Sequence, residues 1–360
     1  MARSITPLNM PLEILGEIFI RSLILDIKDL LQLRRVCKYF KSAIDGTPTY
    51  KDLSTVYTFT TVAGFEITPT TQNDTLQTSK PTKSAFGNIM GFAQDRDGHL
   101  LILDETSSSV LKLDTTDGTV TKIAGEDRGN GLHDGPIPLA MFNAPCDIEV
   151  DSDYNVFVSD SGNHCVRKID FSKGVVETVA GNRIAKSIFY FQEGICFDNV
   201  GDLIVADTWH YQLAKVPIKT LPQGQTKAKV KVLAGVSKKG QQVVDGCGQK
   251  ATFAYPKRVC YDKVFKVILV VDRTRIRSVT ASGVVSTVLN LRDFTEDWSK
   301  EDVNDVTTDS RGDLLLGCRS GILKYCRTTK HMVKLKTVPC LKKITKLRLF
   351  GNELYVCVNS

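Results

Sequence analysis

The sequence predicts a mainly β fold, a propeller of six four-stranded blades preceded by a small all-α head. Two observations carry that reading. Apolar residues fall at helical spacing before residue 53 and alternate after it. The alternating part also repeats itself. A polar turn followed by a short apolar strand recurs in DRDGHLLILD (95–104), DSDYNVFVSD (151–160), DNVGDLIVAD (198–207) and DSRGDLLLGC (309–318). Four short strands per unit, with about 40 to 65 residues between units, is the pattern of propeller blades.

In the head, Leu12, Leu15, Ile18 and Phe19 share one helical face, with Pro11 tolerated in a first turn. Leu30, Leu33, Val36, Cys37, Phe40 and Ile44 form a second face. Asp26 or Asp29 can cap that helix, Gly46 can end it, and Pro48 follows. Two helices this apolar are too small to bury their own surface and need a partner.

Each body unit opens with a strand such as PCDIEVD (145–151) or EGICFD (193–198). The turn-plus-strand segment follows. A third element comes next, in SVLKLD (109–114), CVRKID (165–170), LAKVP (213–217), IRSVT (276–280) and ILKYC (322–326). The fourth is GTVTKIAG (118–125), GVVETVAG (174–181), VKVLAG (230–235) or GVVSTVL (283–289). Opening strands lie near Phe92, Ile148, Ile195, Val259, Val306 and Leu347, which gives six units. The last stops after its second strand, and VYTFTTVAG (56–64) is an orphan copy of an outer strand. The expectation is a head over 1–53 and a propeller over 54–360, its last blade closed by strand 56–64. Closure of this kind removes an open sheet edge.

Composition fits a folded protein, with 24% charged and 42% hydrophobic residues. No run of 18 apolar residues occurs, so no membrane-spanning helix is expected, and no membrane partner. The N-terminus reads as structure rather than a signal peptide. Ten cysteines without CxxC spacing read as reduced thiols, which points to cytoplasm or nucleus. Charge is uneven. Residues 1–249 carry 26 basic and 29 acidic side chains, while 250–360 carry 21 and 11.

DSGNHCVRKID (160–170) gathers Asp160, His164, Cys165 and Asp170, types that serve metal or catalytic sites. Alignment of the repeats argues otherwise. Asp160 coincides with Asp104, Asp207 and Asp272, whereas His164 and Cys165 coincide with Ser108 and Ser109, or Tyr211 and Gln212. The recurring Asp is read as tying its turn. No metal site and no cofactor is expected. No G-x-S-x-G, HExxH or P-loop is present, and the five histidines do not fall on equivalent inner strands.

DSGNHCVRKI, the VAG strand ends, DGPIPLAMFNAP and DGCGQKATFAYP resemble NHL repeats over about residues 56–360. MPLEILGEIF…KDLLQLRRVCKYFKSAID resembles an F-box over residues 5–53, with Asp26 where a second Pro is usual and Phe40 in place of Trp. The F-box resemblance implies docking to a Skp-type adaptor and a cullin ubiquitin ligase. The adaptor-facing residues would be Pro11, Leu15, Ile18, Leu30, Leu33, Val36, Cys37 and Phe40. The propeller would then bind a protein substrate without catalysing a reaction itself.

Loops after the second and fourth strands of each blade emerge at one end. They gather His164, Trp209, His210, Tyr211, Arg273, Arg275 and Arg319, types that dominate binding hot spots. A basic run supplies a second candidate, a phosphate or RNA patch of Lys334, Lys336, Lys342, Lys343, Lys346 and Arg348. The alternative function is therefore an RNA-binding NHL propeller with a protein-docking head. A propeller hydrolase or lyase is the third.

Overall fold

In the computed structural model, the described residues are 33–41, 60–66, 86–125, 131–182, 188–219, 227–237, 242–294, 301–319, 321–335, 344–351 and 353–358. Strands 33–41 and 60–66 are described by their backbone. The fold is mainly β, a propeller of antiparallel sheets.

Five blades are built from consecutive strands. Blade one holds Ile89–Gln94, Leu100–Asp104, Ser109–Leu113 and Val120–Ala124. Blade two holds Pro145–Val150, Val156–Asp160, Cys165–Asp170 and Val175–Gly181. Blade three holds Ile195–Phe197, Leu203–Asp207, Gln212–Val216 and Lys231–Gly235. Blade four holds Pro256–Asp262, Val267–Asp272, Arg275–Val279 and Val284–Asn290. Blade five holds Val303–Thr308, Leu314–Cys318, Gly321–Cys326 and His331–Leu335. The second strands are buried along nearly their whole length, which is why they read as continuous apolar runs. The outer strands alternate because one of their faces meets water.

The expected sixth blade of the same kind is absent among the described residues. Its sector holds a composite sheet in the order 60–66, 33–41, 353–358, 344–350. The C-terminal unit brings two strands, and the N-terminal strands complete the sheet. Ile344–Phe350 packs against the first strands of blades five and one. Strand Thr60–Glu66 lies at the outer edge, and residues 56–59 of the expected closing strand fall outside the described residues.

The second head helix is corrected. Leu33–Lys41 is a strand, paired with Thr60–Glu66 on one side and Glu353–Val358 on the other. Leu33, Val36, Cys37 and Phe40 share a face on a helix, and a strand of period two does not gather that spacing. The segment also carries Val, Tyr and Phe, which favour strands, and 353–358 offers it an edge. Pro11, Leu15, Ile18 and Leu30 lie outside the described residues.

The recurring aspartates do more than shape their own turns. Each accepts a backbone N–H about seventeen residues upstream, in the segment leading into its blade. Gly87 donates to Asp104 at 2.8 Å, Asn143 to Asp160 at 2.7 Å, Tyr190 to Asp207 at 2.8 Å and Ala254 to Asp272 at 2.9 Å. Ser108, His164 and Tyr211, which align in the repeats, all have left-handed backbone, with φ of 47°, 54° and 56°. What recurs there is a turn geometry, so side-chain identity is free to vary.

Candidate protein-interaction site

Charged residues concentrate first on the propeller axis. Lys346 of the composite sheet is fully buried and pairs with Asp147 of blade two, which is equally buried. Arg348 pairs with Glu149. Arg258 of blade four crosses to blades two and one, donating to the carbonyl oxygens of Cys146 at 2.8 Å and Met90 at 3.3 Å. Asp147 also accepts the Ile195 N–H at 3.1 Å, and Asp305 accepts the Leu347 N–H at 2.7 Å. Burial works against the charge on Asp147, yet Lys346, Arg258 and Arg348 outweigh it and hold the carboxyl below its usual range. Burial pushes the Cys146 thiol up to about 12 and Cys260 up to about 11, so neither is a ready nucleophile. No histidine lies on the five described blades' first strands or on 344–350.

The axis corrects the proposed basic patch. Lys346 and Arg348 are strand residues facing inward on acids of blade two, not outward on solvent. Alternation along a first strand sends its polar residues to the axis. Lys334 is exposed on the outer strand of blade five. Lys336, Lys342 and Lys343 lie outside the described residues.

Aromatic side chains concentrate at the loop end of blades two and three. The segment leading into blade three carries Tyr190 and Phe191, and the loop after its second strand carries Trp209 and His210. Asp207 joins the two pieces: it accepts from Tyr190 N, from Gln212 Nε2 at 2.9 Å, and bonds His210 Nδ1 at 2.8 Å. Trp209 N–H donates to the Tyr190 carbonyl at 3.2 Å. The rings then meet. Tyr190 and Phe191 each lie 5.6 Å from Trp209, and 5.2 Å from each other. His164 stands edge-on to Phe191 at 4.8 Å, its Nδ1 accepting the Phe191 N–H at 3.2 Å.

The cluster is built but not covered. Trp209 is 47% exposed and Phe191 39%. Tyr255 of blade four extends it. Its hydroxyl donates to Glu193 at 3.1 Å and lies beside the Trp209 indole. Burial, with Glu193, pushes that hydroxyl up to about 12. The bond to Asp207 raises the pKa of His210.

Of the expected target-binding residues, the structure brings Trp209, His210 and His164 together. His164 is corrected in role. It is 5% exposed and buttresses Phe191 rather than facing a partner. Tyr211 is half-buried in the same loop. Arg273 and Arg319 are exposed at the same end on blades four and five, and Arg275 is half-buried. Among the described residues, no hydrogen bond or ring contact joins these three to the aromatic cluster.

Tyr190 and Phe191 escaped the sequence reading, though the run FYF (189–191) in an otherwise polar loop is the signal that could have marked them. Arg167 and Arg277 escaped too. Each is buried and clamps an outer DG segment to its blade: Arg167 to Asp134 at 2.7 Å and Asp160 at 3.1 Å, Arg277 to Asp245 at 2.8 Å and Asp272 at 3.3 Å. These arginines hold the repeat together.

Comparisons with known proteins agree with this architecture. The family profile of the teneurin NHL domain matches residues 134–307, and the F-box-like profile matches residues 8–55. NHL repeat-containing protein 2 of Gallus gallus is 30% identical over 87 residues, which is 24% of this chain and 12% of that protein. Protein SUPPRESSOR OF QUENCHING 1, chloroplastic, of Arabidopsis thaliana is 28% identical over 85 residues, 24% of this chain and 8% of that one. The matched part is thus a small fraction of either relative. Among solved structures, a protein of unknown function from Bacteroides thetaiotaomicron superposes with a TM-score of 0.54 at 13% identity, covering 79% of this chain and 72% of that one. The selenomethionine-substituted virginiamycin B lyase of Staphylococcus aureus does so at 0.50 and 13%, covering 74% and 75%. The nidogen/laminin complex does so at 0.51 and 12%, covering 83% and 92%. At these identities the likeness is one of fold. The chain is thus similar to F-box-like proteins in its head, over residues 8–55, and to NHL-repeat proteins in its propeller, over residues 134–307.

Proposed function

We infer that this protein is a substrate receptor of a cullin ubiquitin ligase in the cytoplasm or nucleus. Its F-box-like head, over about residues 1–53, docks a Skp-type adaptor, and the loop end of the propeller holds the target protein. The observation that carries the target site is the Tyr190–Phe191–Trp209 cluster. The Tyr190 and Phe191 N–H groups donate to Asp207 and His164, which fixes its backbone, while two of its rings face solvent. Aromatic anchors fixed in this way are what binding hot spots require. The axis supports a non-catalytic role, since most of its charged groups are bound to residues of other blades. The RNA reading loses Lys346 and Arg348, which are committed to Asp147 and Glu149.

Helical docking of the head involves 33–41, the segment that pairs as a strand with 353–358. The adaptor contact therefore rests on the segment leaving that edge, or on residues 8–32 alone. The test is purified full-length protein mixed with a Skp-type adaptor. A complex of micromolar affinity or tighter is expected. Leu15→Asp and Leu30→Asp should each abolish it at an unchanged propeller melt, because burying an unpaired carboxylate costs several kcal/mol. Failure of the wild-type chain to bind the adaptor sinks the ligase reading.

A further inference from the structure

The end opposite the loops is formed by the turns between first and second strands and between third and fourth. On blades two, three and four these turns expose large apolar side chains at their tips: Tyr154 and Phe171 on blade two, Val200 on blade three, Val264 and Phe265 on blade four. Val200 is 55% exposed and Phe265 49%. Exposed lysines flank them. Lys173 follows Phe171, Lys219 sits at the next turn, and Lys263 and Lys266 bracket Val264–Phe265.

Most acids of these turns are directed inward. Asp170 pairs with Lys168 at 3.0 Å, Asp198 with Lys215 at 2.8 Å and Asp262 with Arg327 at 2.7 Å. Lys173 also reaches Asp170 at 3.5 Å and Glu177 at 3.9 Å. The exposed acid is Asp153, 3.6 Å from Lys219. The exposed side chains at the tips of three adjacent blades are thus four lysines against one acid, interleaved with five apolar residues, while Asp151, Asp170, Asp198, Asp202 and Asp262 lie half-buried or buried beneath them. Arg96 of blade one stacks over Tyr154 at 4.6 Å, next to the exposed Asp97. Apolar tips on separate hairpins, most of them beside a lysine, suit a flat partner that accepts shallow insertion and supplies diffuse negative charge. A single-stranded nucleic acid needs a groove that tracks its backbone instead.

We propose that the turn end of blades two to four is a docking surface for an anionic lipid bilayer. Val264 and Phe265 enter the interfacial region, Phe171 and Tyr154 follow on the neighbouring blade, and Lys173, Lys219, Lys263 and Lys266 meet anionic headgroups. The lack of a membrane-spanning run bears on helices that cross a bilayer, not on binding at its surface. A protein held this way presents its loop end, with Trp209 and Phe191, away from the membrane.

The test is sedimentation of full-length protein with vesicles of 30% phosphatidylserine in phosphatidylcholine, with vesicles of phosphatidylcholine alone, and with a poly-uridine RNA as competitor. Cosedimentation with the anionic vesicles, weakened by salt and little affected by the RNA, is expected. Each lysine near an anionic surface is worth about fivefold in affinity. Lys263→Glu with Lys266→Glu should therefore lower binding by roughly thirtyfold or more. Val264→Ser with Phe171→Ser should lower it about tenfold, with the thermal melt kept as a control of folding. Absence of vesicle binding overturns the proposal, as does equal binding to neutral vesicles. RNA binding that depends on the same lysines while vesicles do not bind also overturns it, in favour of nucleic acid.

Discussion

The axis of the propeller and the loop end of blades two and three both concentrate residues that usually mark function. On the axis they are Asp147, Glu149, Arg258, Asp305, Lys346 and Arg348. At the loop end they are His164, Tyr190, Phe191, Trp209 and His210. The difference lies in what each side chain meets. Every axial charge named meets a group from another blade, so the cluster is consumed in holding blades together. The loop-end rings meet each other on one side and water on the other. A dense group of titratable residues is therefore poor evidence for a site when its members are bound across the blades they hold together. Exposed aromatic area on a hydrogen-bonded frame is better evidence, because it leaves binding surface unused.

The comparison breaks most visibly at Lys346. Lys346→Ala leaves Asp147 buried without its principal cation, and breaking a buried pair from one side costs about 3–5 kcal/mol. Urea unfolding should show a loss of that order, with target binding per folded molecule unchanged. A loss under about 1 kcal/mol would mean that the axis is hydrated and open, and would reopen it as a ligand site. Trp209→Ala should behave oppositely. Its stability effect should stay below about 1 kcal/mol, while affinity for a captured target falls by about 2 kcal/mol, roughly thirtyfold. Calorimetric titration of the target against both variants measures the contrast directly. Trp209→Ala binding as well as wild type would remove the loop end from the target-binding surface.

The same contrast explains how much of the molecule was legible in the sequence. The repeat unit was, because its Asp, its apolar second strand and its AG turn recur at fixed offsets. Asp104, Asp160, Asp207 and Asp272 align on sequence alone, without their shared backbone partner. The axis was not. Alternation along ITKLRLF (344–350) looks the same whether the polar residues face water or a polar channel, so Lys346 and Arg348 read as surface. Tyr190 and Phe191 were hidden in a loop, where no periodicity reports burial. Segment 33–41 carries apolar residues at helical spacing and β-favouring residues together, and the edge at 353–358 lies more than three hundred residues away. Local pattern carries no information about that pairing.

The smallest effect tests whether Asp207 frames the loop-end cluster through His210. His210 Nδ1 sits 2.8 Å from Asp207 Oδ2, a bond that favours the charged imidazole, and the pKa is raised above the usual 6.5. A raised pKa in the folded state fixes the sign. The pair contributes its full stability below about pH 6.5, and that contribution fades as pH rises through the folded value. The histidine is partly exposed, so screening limits the effect to a few tenths of a kcal/mol. Fluorescence reads it better than stability, since Tyr190 contacts both the His210 ring at 5.8 Å and Trp209 at 5.6 Å. With the sequence's second tryptophan removed by Trp298→Phe, Trp209 emission should titrate with a midpoint above 6.5. His210→Gln, which does not ionise, should abolish the titration. A titration that persists in His210→Gln would assign the proton elsewhere. It would also leave the frame of the cluster to the backbone bonds of Tyr190, Phe191 and Trp209.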